Sequence, residues 1–295
     1  MELVSAIVCT YNRPVDTVLR AVKSIKNQTY QNIEIIVVND CPGNQELVTK
    51  LESELKALDD KIRYYVNEEN KGISANRNVG LSYAKGKYIA YLDDDDEWAP
   101  NKIEMQVSEM SGNVALVYGD FIIKDGEKSF VSYRGRHFGN LLKEILKENF
   151  VGGTSFPLIN TEYLKSIGGF DENATSGEEY DVWIRLISRY EIRYVNSPLG
   201  FYSMSSDSVF KNDNSKYTMW RLYFLKKYRD LLVRYPLIYM SALKSDMRLG
   251  ENCKDKELYD YCKKMISESG MKKALLILVP TVNFKDKVLT KLRLN

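Results

Sequence analysis

Histidine occurs once in this 295-residue chain, at His137, and cysteine only four times, at Cys9, Cys41, Cys253 and Cys262. The cysteines lack the paired spacing of a zinc site, and no histidine stands near them. A zinc centre or a disulfide framework is therefore not what organises the fold. A reduced, cytoplasmic protein is expected. Apolar runs stop short of the ~18–20 residues that a membrane-spanning helix needs. The first apolar strand pattern begins at Leu3, so no secretory leader is expected ahead of it. Charge of one sign is also lacking: 42 Lys and Arg face 40 Asp and Glu, a net of +2. That balance gives no reason to expect a nucleic-acid partner.

The balance conceals an asymmetry. From Ser205 onward there are 19 basic and 10 acidic residues, against 23 and 30 before it. A basic tail on an acidic body suggests contact with something anionic, such as a membrane surface or a charged acceptor. Hydrophobic residues make up 44% of the chain, enough for one large α/β domain with an appendage.

Leu3 to Cys9 reads as a buried strand, followed by the polar turn Thr10-Tyr11-Asn12-Arg13, with Pro14 placed to open a helix. Val15, Val18, Leu19, Val22 and Ile25 then recur at helical spacing. Strands follow at Ile33–Val38, Ile62–Val66 and Tyr88–Leu92, separated by helices near 45–58 and 75–84. This alternation predicts a mostly parallel sheet whose carboxyl ends gather Thr10, Asp40 and the run Asp93-Asp94-Asp95-Asp96 at one edge. Four adjacent carboxylates repel one another, and at a strand end an Mg²⁺ or Mn²⁺ ion bound to substrate phosphates would neutralise them. The alternative is a solvated acidic turn.

Further helices are expected at 101–110, 161–167 and 176–190. Strands are expected at 115–118, 130–133 and 192–195, with a strand-like segment at 152–155. Helices at 216–234, 236–249, 254–268 and 271–278 complete the chain. The expected organisation is a catalytic domain over 1–205, with halves 1–100 and 101–205, and a helical region over 206–295.

Six segments in order resemble the family 2 glycosyltransferases, inverting enzymes of the GT-A fold. They are Ile7-Val8-Cys9-Thr10-Tyr11-Asn12-Arg13, Ile36-Val37-Val38-Asn39-Asp40, Arg77-Asn78 with Gly86, Leu92-Asp93-Asp94-Asp95-Asp96-Glu97-Trp98, Gly168-Gly169-Phe170-Asp171-Glu172 and Gly177-Glu178-Glu179-Tyr180-Asp181-Val182-Trp183. The resemblance implies an α/β fold with a Rossmann-like sheet. It also implies transfer of a sugar from a UDP-sugar to a hydroxyl of a glycan or glycolipid, assisted by Mn²⁺ or Mg²⁺.

By the same resemblance Thr10, Tyr11, Asn12, Arg13, Asp40, Arg77, Asp93 and Asp94 bind the nucleotide, and Asp95 with Asp93 holds the metal. Asp96, Trp98, Gly153, Thr154 and Asp181 serve the sugar or the acceptor. One of Glu178 and Glu179 is the base; the family usually has Glu-Asp at this pair. Asp96 as a turn cap, Arg77 in a surface ion pair and Tyr11 as a core aromatic stand as alternatives, and Trp183 is expected in the core. Many relatives carry a basic residue and a histidine after the acidic-pair helix, where this chain reads Phe201-Tyr202-Ser203-Met204-Ser205. Metal binding should then depend on the nucleotide.

The residues argue against two other classes. A sugar nucleotidyltransferase needs a glycine-rich loop after the first strand, and Thr10–Pro14 contains no glycine. A non-catalytic sugar-nucleotide or glycan binder would have no use for the acidic pair. Near the end, Leu275–Pro280 is flanked by Lys272, Lys273, Lys285, Lys287, Lys291 and Arg293. This segment is expected either at the inner face of the cell membrane or packed on the catalytic domain or a second copy of the chain.

Overall fold

Val4–Thr10 is buried along its whole length, as a central parallel strand is, and forms β1. The computed structural model describes residues 1–174, 176–204 and 214–269. Parallel neighbours of β1 are β2 (Ile33–Asn39) and β4 (Tyr88–Asp93), and β3 (Arg63–Val66) runs parallel to β2. The crossovers are α1 (Val15–Lys26), α2 (Gln45–Leu58) and α3 (Ile73–Tyr83). Helix α1 buries Val15, Val18, Leu19, Val22 and Ile25, the stripe that the spacing predicts. Close approach of α3 to β1 requires Gly80, where a Cβ would lie 2.6 Å from Ile7 Cγ2.

The parallel expectation holds for this half of the sheet, and the other half is mixed. Strand β4 pairs antiparallel with β8 (Leu158–Asn160), which pairs antiparallel with β6 (Val114–Asp125). Strand β6 runs parallel to β9 (Glu191–Ser203), and β9 receives the two-residue β5 (Glu97–Trp98) antiparallel. The full order is β3-β2-β1-β4-β8-β6-β9-β5, with β7 (Lys128–Ser132) folded back on β6. Register shifts opposite Asp120 let β9 continue past Asn196-Ser197-Pro198, so the strand expected over 192–195 runs to Ser203. Residues 152–155, expected to be strand-like, form a turn instead.

Helix α4 (Lys102–Glu109) packs beside β9, and α6 (Thr161–Ser166) is capped by Asn160, whose side chain accepts from the Glu162 and Tyr163 amides. Helix α7 (Glu178–Ile187) is shorter than expected and buries Val182, Trp183, Ile184 and Leu186. Lys102 is wholly buried, with its ammonium 4.2 Å from the Trp98 ring centroid and bonded to Gln106 Oε1 at 2.7 Å. Burial lowers its pKa well below the usual lysine value.

These strands, with α1–α4, α6 and α7, belong to one compact unit made of Met1–His137, Phe150–Glu172 and Glu178–Met204. A second unit takes Phe138–Asn149, Asn173–Gly177 and, among the described residues, 214–269. Its helices are α5 (Leu141–Ile145), α8 (Asn214–Lys227), α9 (Arg229–Val233), α10 (Pro236–Cys253) and α11 (Lys256–Glu268). The single helix expected over 216–234 is thus two, interrupted at Tyr228. Lys254 ends α10 in the left-handed conformation, φ 57°. A Cβ on Gly250 would lie 2.8 Å from the Tyr259 amide, so glycine there permits the tight α10–α11 contact. Arg221 and Asp246 form a buried pair between α8 and α10. No helix among the described residues is long and apolar enough to cross a membrane. The expected helix 271–278 and the basic residues after it lie outside the described residues, as do residues 205–213.

Candidate active site

Strands β1, β2 and β4 end at the same edge, with Thr10 beside Asn39 and Cys9 beside Asp93 in the registers. Just past β2, Asp40 is 3% exposed. Its Oδ1 accepts from Asn67 Nδ2 at 2.7 Å and from the Lys71 amide at 2.9 Å, and its Oδ2 accepts from the Gly72 amide at 2.9 Å. Asp40 therefore holds the turn into α3, with one Oδ2 lone pair remaining for a ligand. Thr10 is buried, while Tyr11 is 56% exposed, its ring open to a stacking partner. Asn12 adopts φ 48°, which turns the chain out of β1, and its Oδ1 accepts from Asn44 Nδ2.

The four carboxylates of the acidic run have different partners. Asp93 accepts from Arg77 Nη2 at 2.9 Å and from Thr154 Oγ1 at 3.3 Å. Asp94 and Asp95 share Arg13, whose Nε reaches Asp94 Oδ1 at 2.9 Å and whose Nη2 reaches Asp95 Oδ2 at 3.1 Å. Burial pushes Asp94 up to about 6, despite Arg13, and raises Asp95. Arg13, expected at the nucleotide, is thus the counter-ion of the run. Asp96 is 1% exposed and accepts from Ser155 Oγ at 2.6 Å and from the Ser203 amide at 3.0 Å. Burial lifts its pKa well above the ordinary carboxylate value. Asp96 ties the end of β4 to β9 rather than facing a sugar.

Arg77, on α3, is buried and joins two elements. Its Nη1 donates to Glu178 Oε1 at 2.5 Å while its Nη2 holds Asp93. The surface ion pair weighed for Arg77 is therefore not found. Glu179, next to Glu178 in the first turn of α7, is pushed up to about 8, first by burial and then by the Glu178 carboxylate.

The four other expected acceptor residues differ in outcome. Trp98 is 3% exposed, with its indole Nε1 donating to the Ser155 carbonyl at 2.6 Å, so it is a core residue with no free face for a sugar. Asp181 is fully buried and bonded to Arg185, which in turn donates to the Ile167 and Gly169 carbonyls at 2.6 and 2.7 Å. It fixes the Gly168-Gly169 turn instead of meeting substrate. Gly153 is exposed, and Thr154 stands beside Asp93.

Two positioning residues escaped the sequence reading. Ser155 bonds Asp96 and the Asp93 amide, and Arg20 Nη2 donates to the Asp95 carbonyl at 2.8 Å. A serine in a glycine turn carries no sequence signal, and Arg20 is one of several polar residues on the outer face of an amphipathic helix. A cleft of about 570 Å³, lined by Arg20, Lys23, Glu97 and Phe201 among others, contains none of Asp93, Asp95, Glu178 or Glu179.

Among the described residues no three His, Cys, Asp or Glu side chains form a ready-made metal centre. The donor chemistry still fits Mg²⁺ or Mn²⁺: Asp93 and Asp95 are oxygen donors, 38% and 25% exposed, and such ions are commonly held by one or two carboxylates plus diphosphate and water.

Comparison with known proteins places this geometry. Over 71% of its length this chain is 30% identical to an Escherichia coli protein, UDP-Glc:alpha-D-GlcNAc-diphosphoundecaprenol beta-1,3-glucosyltransferase WfgD, of which the match covers 80%. An uncharacterized glycosyltransferase of Methanocaldococcus jannaschii is 30% identical over 76% of this chain and 78% of its own. Other relatives are longer: this chain spans 35% of a Rickettsia felis glycosyltransferase and 55% of the full Staphylococcus aureus TarS chain. The structure of TarS 1-349 in complex with UDP-GlcNAc superposes with a TM-score of 0.60 at 15% identity, covering 90% of this chain and 92% of that one. That likeness shows the GT-A fold. The signature of Glycosyl transferase family 2 matches residues 5–167, from β1 through the acidic run to α6. With more than half of the chain inside that signature, the protein belongs to glycosyl transferase family 2 and is a glycosyltransferase.

Proposed function

We propose that this enzyme transfers a sugar from a UDP-sugar to a hydroxyl of a lipid-linked glycan, with inversion, during assembly of a surface polysaccharide. The observation that carries the reading is the Asp93–Arg77–Glu178 link with Glu179 beside it. The link joins the strand end expected to meet the donor diphosphate to the helix expected to meet the acceptor. Support for the donor and acceptor classes comes from the names of WfgD and of the UDP-GlcNAc complex of TarS.

Glu179 is the base. Glu178 is committed to Arg77, whereas Glu179 has a pKa of about 8, close to working pH, where a carboxylate is most effective at taking a proton. In a single displacement the acceptor oxygen bonds to the anomeric carbon, the bond from that carbon to the diphosphate oxygen breaks, and the hydroxyl proton passes to Glu179. Attack opposite the leaving diphosphate gives inversion. Arg77 adds positive charge where the diphosphate charge develops, while Arg13 holds Asp94 and Asp95. Asp95 and Asp93 would hold a divalent ion, which when bound neutralises the departing diphosphate. Tyr11 offers its ring to the uracil.

The test is calorimetric titration of UDP with and without Mn²⁺, on the wild type and on Asp95→Ala, followed by a screen of UDP-sugars. Metal-dependent UDP binding that Asp95→Ala abolishes supports the reading. Absence of UDP binding under every condition refutes it. A peripheral membrane contact through residues 271–295 belongs to the same proposal, and removing them should shift the protein out of the membrane fraction.

A further inference from the structure

Between β7 and the boundary of its unit the chain reads Tyr133-Arg134-Gly135-Arg136-His137, and the proposed reaction uses none of these residues. The segment is firmly held. The Arg134 amide donates to Asp120 Oδ1 at 2.6 Å, and the Tyr118 hydroxyl donates to the Gly135 carbonyl at 3.0 Å. His137 stacks on Phe150 with centroids 4.1 Å apart, and its Nε2 lies 3.2 Å from the Arg134 carbonyl oxygen. The other oxygen of the buried Asp120 accepts from the Tyr194 hydroxyl at 2.8 Å. Gly135 takes φ +73°, which lets the chain turn between the two arginines.

What this frame presents to solvent is unusual. Tyr133 is 66% exposed. Arg136 is exposed and makes no side-chain hydrogen bond or ion pair among the described residues. It lies close enough to the Tyr118 and Tyr194 hydroxyls to act on them electrostatically. A guanidinium without a carboxylate, on a backbone fixed by four contacts, is a preorganised donor for a phosphate.

Through Arg134 the segment packs at Gly152, in the turn that leads to Thr154 at the reaction centre. A Cβ on Gly152 would meet the Phe121 ring at 3.4 Å and Arg134 Nε at 3.7 Å, and the Arg134 guanidinium lies over Phe121 at 4.7 Å. The Gly152 carbonyl accepts from the indole of Trp183, one turn beyond Glu179 on α7, and Thr154 bonds Asp93. The segment reaches the centre from β6 and β7, whereas β1 and β4 carry the residues proposed for the donor.

We infer that Tyr133–His137 binds the diphosphate of the acceptor, so that the acceptor is a sugar carried on a diphosphate ester, with Arg136 as the principal contact and Tyr133 covering the adjoining apolar or sugar face. This rests on the proposed glycosyltransfer and names the acceptor's anionic group. The same phosphate chemistry could come from the donor or from free phosphate, and the test separates these sources.

Geranyl diphosphate is titrated calorimetrically into the full chain saturated with UDP, so that the donor site is filled. The expected result is one diphosphate bound per chain beside UDP. Arg136→Gln should weaken it roughly tenfold, Tyr133→Ala should weaken it less, and UDP affinity should be unchanged in both. Failure of geranyl diphosphate to bind beside UDP overturns the inference, as does equal affinity in Arg136→Gln. Equally tight, Arg136-dependent binding of inorganic phosphate overturns the diphosphate assignment. If UDP itself does not bind while Arg136-dependent diphosphate binding persists, the donor reading fails and this one stands.

Discussion

Arg77 and Arg221 are buried alike, at 5% and 1% exposure, yet they are arranged differently. Arg221, among the C-terminal helices, directs Nε and Nη2 at the two oxygens of one acid, Asp246, both at 2.8 Å. That is a closed bidentate fork. Arg77 divides its donors between two acids on two elements, Glu178 and Asp93, and its Nε is buried without a partner among the described residues. Beside it stands Glu179, raised to about 8. A closed pair specifies how helices pack. A divided one holds two elements in register with a hydrogen-bonding group to spare and a carboxyl of raised pKa beside it, as reactive sites commonly do.

The largest effect separating the two regions is expected from Glu179→Gln: kcat lower by roughly 10²–10⁴-fold, with UDP affinity retained in a calorimetric titration. Retained kcat would move the base elsewhere. Next comes stability. Asp246→Ala removes the bidentate partner of a buried guanidinium and should cost about 3–5 kcal/mol in urea unfolding, and Arg221→Met with Asp246→Leu should recover most of that loss. The matching double variant at the site, Arg77→Met with Glu178→Gln, should likewise restore stability but not transfer activity. Recovery of activity there would erase the distinction between the arginines.

A third prediction concerns pH. Transfer should rise as pH rises through about 8, because Glu179 must lose its proton to act. Stability should move the other way. The folded chain retains that proton between the ordinary glutamate value of 4.5 and about 8 while the unfolded chain releases it, so this contribution is present at low pH and lost as pH rises to 8. The smallest effect is expected at Lys102, buried over Trp98 with no carboxylate partner among the described residues. Lys102→Met removes a desolvated amine and should be neutral or stabilising by about 1 kcal/mol in the same unfolding assay.

Much of the first half was legible because its signals are local. β1, β2 and β4 are continuous apolar runs ended by polar residues, and parallel strands buried on both faces must look so. The second half depends on long-range pairing. β8 is three residues long and joins β4 to β6 antiparallel, and β9 crosses Asn196-Ser197-Pro198, which reads as a turn but is absorbed by register shifts. In the site, the sequence order brought Asp93, Arg77 and the glutamate pair within reach of one another. It did not reveal that Trp98 faces inward, since an aromatic after an acidic run suits a core or a sugar platform equally. Asp181 carried a usable signal, Arg185 four residues on, which marks a helix ion pair.

The account turns on the assignment of roles between two adjacent glutamates. The pH dependence of kcat/KM for sugar transfer tests it most directly. The account predicts an ascending limb near pH 8, absent from what little activity Glu179→Gln retains. A profile that is flat through that region, or that rises at an ordinary carboxylate pKa near 4.5, would contradict it.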